Sequence, residues 1–185
     1  MFLRKKVLIE EMKALEKEFN EKNLIACFTG HRPQSLPWGY NESGLAFILF
    51  KNKLKKAIKS AIADGFNHFV SGMALGVDML AAEIVLQLKK KHPNIILECA
   101  IPCKNQSCKW QSDSVDRYNA ILEQADKVTM VSDTNYFNGC MQKRNKYMID
   151  KSERVIAVFN GTPGGTAQTI ESAKKAGREV VIIKP

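Results

Sequence analysis

No apolar run in this 185-residue chain approaches the ~20 residues that a membrane-crossing helix needs. The N-terminus lacks the apolar core of a secretion signal, so the reducing cytoplasm is the expected compartment and a membrane partner is not expected. Cysteine is present as an odd set of five, Cys27, Cys99, Cys103, Cys108 and Cys140. In that compartment they are expected as free thiols. Their spacing matches no common zinc pattern, so no metal site is expected. Three enzyme signatures are also missing. Thr29-Gly30 is not followed by the rest of a G-x-G-x-x-G turn, which argues against an ordinary dinucleotide dehydrogenase. There is no G-x-x-x-x-G-K-[ST] loop for a P-loop nucleotidase, and no G-x-S-x-G elbow for a serine hydrolase. Repeats, low-complexity tracts and an interdomain linker are absent as well, and the length suits one domain.

What is present is an alternation. Short apolar runs at Leu24–Phe28, Phe66–Val70, Ile95–Ile101, Lys127–Val131, Val155–Phe159 and Glu179–Ile183 alternate with helical patterns. Runs apolar on both faces belong to parallel strands, so the expectation is an α/β fold, a three-layer parallel sheet of about six strands with helices on both faces. The first helix of the domain is expected from about Gly44 to Asp64, with a stripe of Leu45, Ile48, Leu49, Leu54, Ala57, Ile58, Ala61 and Ile62. Asn138-Gly139 is expected to cap the helix that carries Arg144. Residues 1–23 form a separate amphipathic pattern, with Leu8, Met12, Leu15 and Phe19 in one stripe, ahead of a domain spanning 24–185. That extension either docks on the domain or pairs with a second copy, which leaves a homo-oligomer open.

The formal charge is +9, from 28 Lys and Arg against 19 Asp and Glu. Such a balance attracts anions. Much of it lies in Lys51, Lys53, Lys55, Lys56 and Lys59 and in Lys89-Lys90-Lys91, where a solvated helix face and a helix end explain it without nucleic acid.

Two glycine-rich turns stand between a strand and a helix: Ser71-Gly72-Met73-Ala74-Leu75-Gly76-Val77-Asp78 and Gly161-Thr162-Pro163-Gly164-Gly165-Thr166. Free N–H groups and the positive dipole end make such a helix start an anion cradle. In a parallel sheet, ligands sit at the carboxyl ends of strands. Four groups are expected to converge there: Thr29, Gly30, His31 and Arg32; Ser71, Gly72, Met73, Ala74, Gly76 and Asp78; Gly164, Gly165 and Thr166; and Arg144 with Asn145. Met141, Arg144, Asn145 and Met148 fall three, four and seven apart, on one helix face. A buried guanidinium needs a partner, either a ligand phosphate or a protein carboxylate such as Asp78 or Asp116. His31 serves as a polar contact, an acid–base group or a structural histidine.

Taken together, Thr29-Gly30-His31-Arg32-Pro33, Ser71 to Asp78, Arg144-Asn145-Lys146-Tyr147-Met148-Ile149-Asp150 and Gly164-Gly165-Thr166 resemble the YpsA-like branch of the SLOG superfamily. The likeness takes in Trp110, Tyr118 and Ala125-Asp126 and covers roughly residues 24–184. It implies a Rossmann-like fold whose crevice holds a nucleotide-type ligand such as ADP-ribose, NAD or a nucleoside phosphate, in a sensor or regulator. Two other branches set the alternatives. The LOG phosphoribohydrolases carry P-G-G-x-G-T-x-x-E; Pro163, Gly164, Gly165 and Glu171 match, whereas Ala167 and Gln168 replace the second Gly-Thr. That branch implies cleavage of a nucleotide N-glycosidic bond, with Glu171 as a catalytic candidate; His31 is a second candidate on its reference pKa near neutrality alone. The DNA-processing protein DprA carries Ser-Gly-Gly-Ala-x-Gly-x-Asp, like Ser71 to Asp78, and implies single-stranded DNA as a nucleic-acid partner. Against that stands the lack of aromatic residues alternating with the lysines.

Overall fold

The computed structural model describes residues 23–185, so the amphipathic pattern of the first 22 residues lies outside the described residues. Six strands are present: β1 (Leu24–Gly30), β2 (Phe66–Ser71), β3 (Ile96–Ile101), β4 (Lys127–Met130), β5 (Arg154–Val158) and β6 (Glu179–Ile183). Five helices connect them: α1 (Leu45–Ala63), α2 (Val77–Lys89), α3 (Ser112–Gln124), α4 (Cys140–Lys151) and α5 (Gly165–Lys175). Every strand pair is parallel, in the order β4-β3-β2-β1-β5-β6. The chain therefore steps outward from β1 to β4, then returns to the other side of β1 for β5 and β6. That reversal puts a topological switch point between β1 and β5, where a crevice is expected.

The period-2 alternation of the strands divides the apolar side chains between two layers. Phe28, Phe69, Leu97 and Ile156 pack under α1–α3, with Phe50, Leu54 and Ile84 from the helices. Cys27, Val70, Val155 and Ala157 face α4 and α5, meeting Met148, Ile149 and Ile170. This is the three-layer Rossmann-like arrangement expected from the alternation.

The expected stripe of α1 needs correction in its first turns. Leu45, Ile48 and Leu49 are exposed, Leu45 at 71%. Phe47 and Phe50 take the inward positions instead, continuing to Leu54, Ile58 and Ala61. The reason is Trp38 in the preceding loop, which stacks on Phe50 at 4.5 Å and meets Phe47 edge-on at 5.9 Å. Phe47 and Phe50 bury their rings against the indole, and the aliphatic trio faces outward.

Among the described residues, no helix is long and apolar enough to cross a membrane. All five cysteines are unpaired, and only Cys108 is exposed. Asp126 ties the sheet edge together: its carboxylate accepts the Leu97 N–H at 2.9 Å and pairs with Lys89.

Candidate functional site: a positively charged crevice between β1 and β5

At the switch point Gly30 pairs with Val158, so the two chains leave the sheet side by side. Gly30 is required there by close approach, because a Cβ on it would lie 2.5 Å from the Cβ of Val77. The start of α2 thereby packs directly on the end of β1. His31 follows and stacks on Phe159 with ring centroids 5.8 Å apart, while its Nε2 accepts the Asn160 N–H at 3.2 Å. Burial pulls this imidazole below its usual range. At neutral pH His31 is uncharged, positioned by Asn160 and Phe159.

A hollow of about 310 Å³ opens above these strand ends. The structure brings to its lining Thr29, Gly30, His31, Arg32, Ala74, Asp78, Arg144, Asn145, Gly164, Gly165 and Thr166, which come from all four of the expected groups. Arg32 and Arg144 stand against the single carboxylate of Asp78, leaving the crevice net positive. The first turn of α5 completes it. Gly164 is the N-cap and offers no side chain, so the N–H groups beginning α5 have no side-chain cap. Next to it, Thr162 is held by the Asn160 carboxamide through both its N–H (3.0 Å) and its hydroxyl (2.7 Å).

The other turn is arranged differently. Ser71, Gly72, Met73 and Gly76 do not line the hollow. A Cβ on Gly72 would lie 1.5 Å from Nη1 of Arg144, so the guanidinium occupies the space that the missing side chain leaves. Nη1 donates to Asp78 Oδ2 at 3.2 Å, and both residues are only 5% exposed. Of the two carboxylates considered as partners, Asp78 is the one used. This turn is thus filled by an internal ion pair, and the α5 turn is the open one. The pair is under tension: burial pushes the Asp78 carboxyl above its usual range despite the charges of Arg144 and Arg32. Burial likewise lowers the proton affinity of Arg144 despite Asp78. The Nε of Arg144 is buried and has no partner. A guanidinium lining a cationic hollow is suited to an arriving oxyanion.

Met73 takes φ +55°, an unusual conformation for a bulky residue. It stands where the DprA pattern has glycine, and three contacts hold it. Its N–H reaches Ser71 Oγ at 3.2 Å, its carbonyl accepts from Gln106 Nε2 at 2.8 Å, and its side chain is fully buried. Sequence reasoning did not find Gln106, whose loop has no helical or strand pattern. Asn160 and Ser35 were missed too, and Thr162 was expected only as part of the glycine turn, although Asn160-x-Thr162 has the spacing of an Asx turn. The cap of α4 is Gly139 at φ +98°, without a side-chain bond from Asn138. Glu171 is exposed, bonded to Lys175 at 2.7 Å and absent from the lining of the hollow. None of the α1 lysines lines it either. No cluster of three or more His, Cys, Asp or Glu suited to a metal occurs among the described residues.

Comparison with known proteins bears on the family and the fold. A protein of Halalkalibacterium halodurans described only as UPF0398 is 30% identical over 154 residues, spanning 82% of this chain and 80% of that protein. The uncharacterised prophage-derived YoqJ of Bacillus subtilis is 36% identical over 140 residues, or 69% of this chain and 82% of its own. Among solved structures, DNA processing protein A of Helicobacter pylori superposes with a TM-score of 0.60 at 18% identity, covering 89% of this chain and 67% of its own. The Streptococcus pneumoniae DprA gives the same TM-score at 16% identity, and this chain spans about half of it, 51%. These two show the fold. The model of the YspA SLOG family matches residues 26–181, and the chain belongs to that family.

Proposed function

We propose that the crevice binds a nucleotide or nucleotide-derived ligand through its phosphate, and that the protein acts as a sensor or regulator. The observation that carries this reading is the pairing of an open, uncapped α5 N-terminus with the buried, under-bonded Arg144 on the same hollow. Neither feature helps a protein that leaves the hollow to water. The phosphate takes the N–H groups of Gly165 and Thr166, and Arg144 and Arg32 neutralise it. Binding without hydrolysis is supported by the position of Glu171, which sits on the outer side of α5 against Lys175.

Thermal shift against nucleoside mono-, di- and triphosphates and ADP-ribose tests the reading. Gly165→Asp is the matching variant. Nothing lies within 4 Å of a Cβ at Gly165, so the substitution fits, and a carboxylate in the first turn suits the dipole. The variant stays folded and repels the phosphate. If no member of the panel stabilises the wild type, or if Gly165→Asp is stabilised equally, the reading is wrong.

Single-stranded DNA is the second reading. The structural relative from H. pylori is described as having a single-stranded DNA binding mode, and Lys53, Lys56 and Lys59 are exposed on α1. DNA binding predicts an oligonucleotide affinity that falls steeply with salt. Absence of binding at low salt ends it.

A further inference from the structure

A groove of about 540 Å³ runs down the outer surface between α4 and α5. It begins where the crevice stops, and Met141, Asn145 and Gly165 line both. Two other hollows, one beneath Trp38 and one between α1 and β6, share no residue with the crevice. A ligand too long for the crevice therefore has this groove as its continuation.

The two compartments differ in chemistry. The crevice is cationic. In the groove, Lys146 is bonded to Asp150 at 2.8 Å and Lys175 to Glu171 at 2.7 Å, so its cations are already neutralised. What remains is the carboxamides of Gln142 and Gln168, the Ser172 hydroxyl and the apolar surface of Ile149 and Ala176. Carboxamides beside apolar side chains match the hydrogen-bonding edge and the face of a nucleobase. The threshold between the compartments is fixed. Asn145 Nδ2 donates to Thr169 Oγ1 at 2.9 Å, and that hydroxyl donates to the Gly165 carbonyl at 2.8 Å. Gln168 lines the groove and not the crevice, at the position where the phosphoribohydrolase pattern carries threonine. It lies about one helical turn, ~5.4 Å, beyond the first N–H groups of α5, and Ser172 lies a further turn away. A ribose spans such an interval.

We propose that the α4–α5 groove is the base subsite of the crevice: with the phosphate on the first turn of α5, the nucleobase lies between the two helices, its edge read by Gln168 and Gln142. This rests on the anion reading of the crevice given above.

The experiment compares ribose 5-phosphate with adenosine, guanosine, cytidine and uridine monophosphates by isothermal titration, in the wild type and in Gln168→Ala and Ser172→Trp. Ser172 is exposed, so the indole fills the groove without entering the core. The wild type is expected to bind at least one nucleotide about tenfold or more tighter than ribose 5-phosphate. In either groove variant that gap falls below about threefold, while the ribose 5-phosphate affinity stays put. A gap that survives both variants, or no gap in the wild type, overturns the base subsite while leaving the phosphate site standing. If Ser172→Trp changes the oligomeric state and not the gap, the groove is a contact between copies and the proposal is wrong. If neither ribose 5-phosphate nor any nucleotide binds, the phosphate reading fails first and takes this one with it.

Discussion

Replacing Arg144 by methionine removes the guanidinium and keeps most of the side-chain volume, leaving Asp78 as a carboxylate buried to 95% with only the long 3.4 Å contact to the Ala74 N–H. Breaking a buried pair in this way costs about 3–5 kcal/mol. That is a large part of the ~5–15 kcal/mol that holds a domain of this size together. The sign of its pH dependence follows from Asp78. Its folded pKa is already above the unfolded value because burial outweighs Arg144 and Arg32, and losing Arg144 raises it further. A raised carboxylate destabilises the folded state when ionised, so the penalty is full at high pH and shrinks as pH falls through the raised pKa. Asp78→Asn alone leaves a buried guanidinium unpaired and costs a similar amount, with no such relief in acid. In the double variant Arg144→Met/Asp78→Asn no charge is stranded, and stability returns to within about 1–2 kcal/mol of the wild type. Urea denaturation of the four proteins from pH 5 to 8 measures all of this. Additive single effects, or an Arg144→Met penalty that is flat with pH, would show that the pair is not the buried ion pair described.

Glu98 gives the opposite acid response. It is fully buried, and burial alone would raise its pKa; the bonds from His68, Tyr147 and Thr129 and the charge of Lys151 outweigh that and hold it well below the usual carboxylate range. Its contribution is present above about pH 4.5 and is lost as pH falls below that, so Glu98→Gln, costing about 1.5–3 kcal/mol at pH 7, should show a flatter acid-unfolding limb than the wild type by circular dichroism. Gly30→Ala drives a Cβ into Val77 and should cost about 1–3 kcal/mol in denaturant titration. Val77→Ala in the same chain should recover part of that loss, and no recovery would deny the contact. Gly165→Asp should leave the melting temperature unchanged or higher while abolishing nucleotide stabilisation, read by thermal shift.

The alternation of buried runs and helical patterns made the sheet and its two helical layers legible, because a strand covered on both faces has no polar alternative to offer. The convergence of Thr29–Arg32, Asp78, Arg144 and Gly164–Thr166 on one hollow followed from the same pattern, since parallel strands put every turn after a strand on one edge. What the pattern did not carry was which of two adjacent faces of α1 turns inward. That was decided by Trp38, a loop residue without periodicity. Nor did the spacing show that the two glycine turns do different work. Gly72 and Gly165 read alike in the sequence, and the difference lies 72 residues downstream of the first in Arg144, whose guanidinium fills one and leaves the other open. Gln106 and Glu98 were invisible for a related reason: each is a polar residue whose partners come from other elements.

The occupied turn has a consequence for the open one. Arg144 lines the hollow beside the first turn of α5 and its Nη1 is already bound to Asp78, so an oxyanion entering there meets a guanidinium that is already oriented. The guanidinium is planar and forked, so it serves both anions only if it stays fixed in one plane. Gly72 beneath it, and the Met73 conformation pinned by Ser71 and Gln106, supply that fixity. The ion pair is therefore no substitute for a ligand; it sets the arginine in place before one arrives, and its incomplete compensation leaves the arginine with affinity to spare. A lysine here would keep the charge and lose the second arm, which is why the residue type matters more than the charge at position 144.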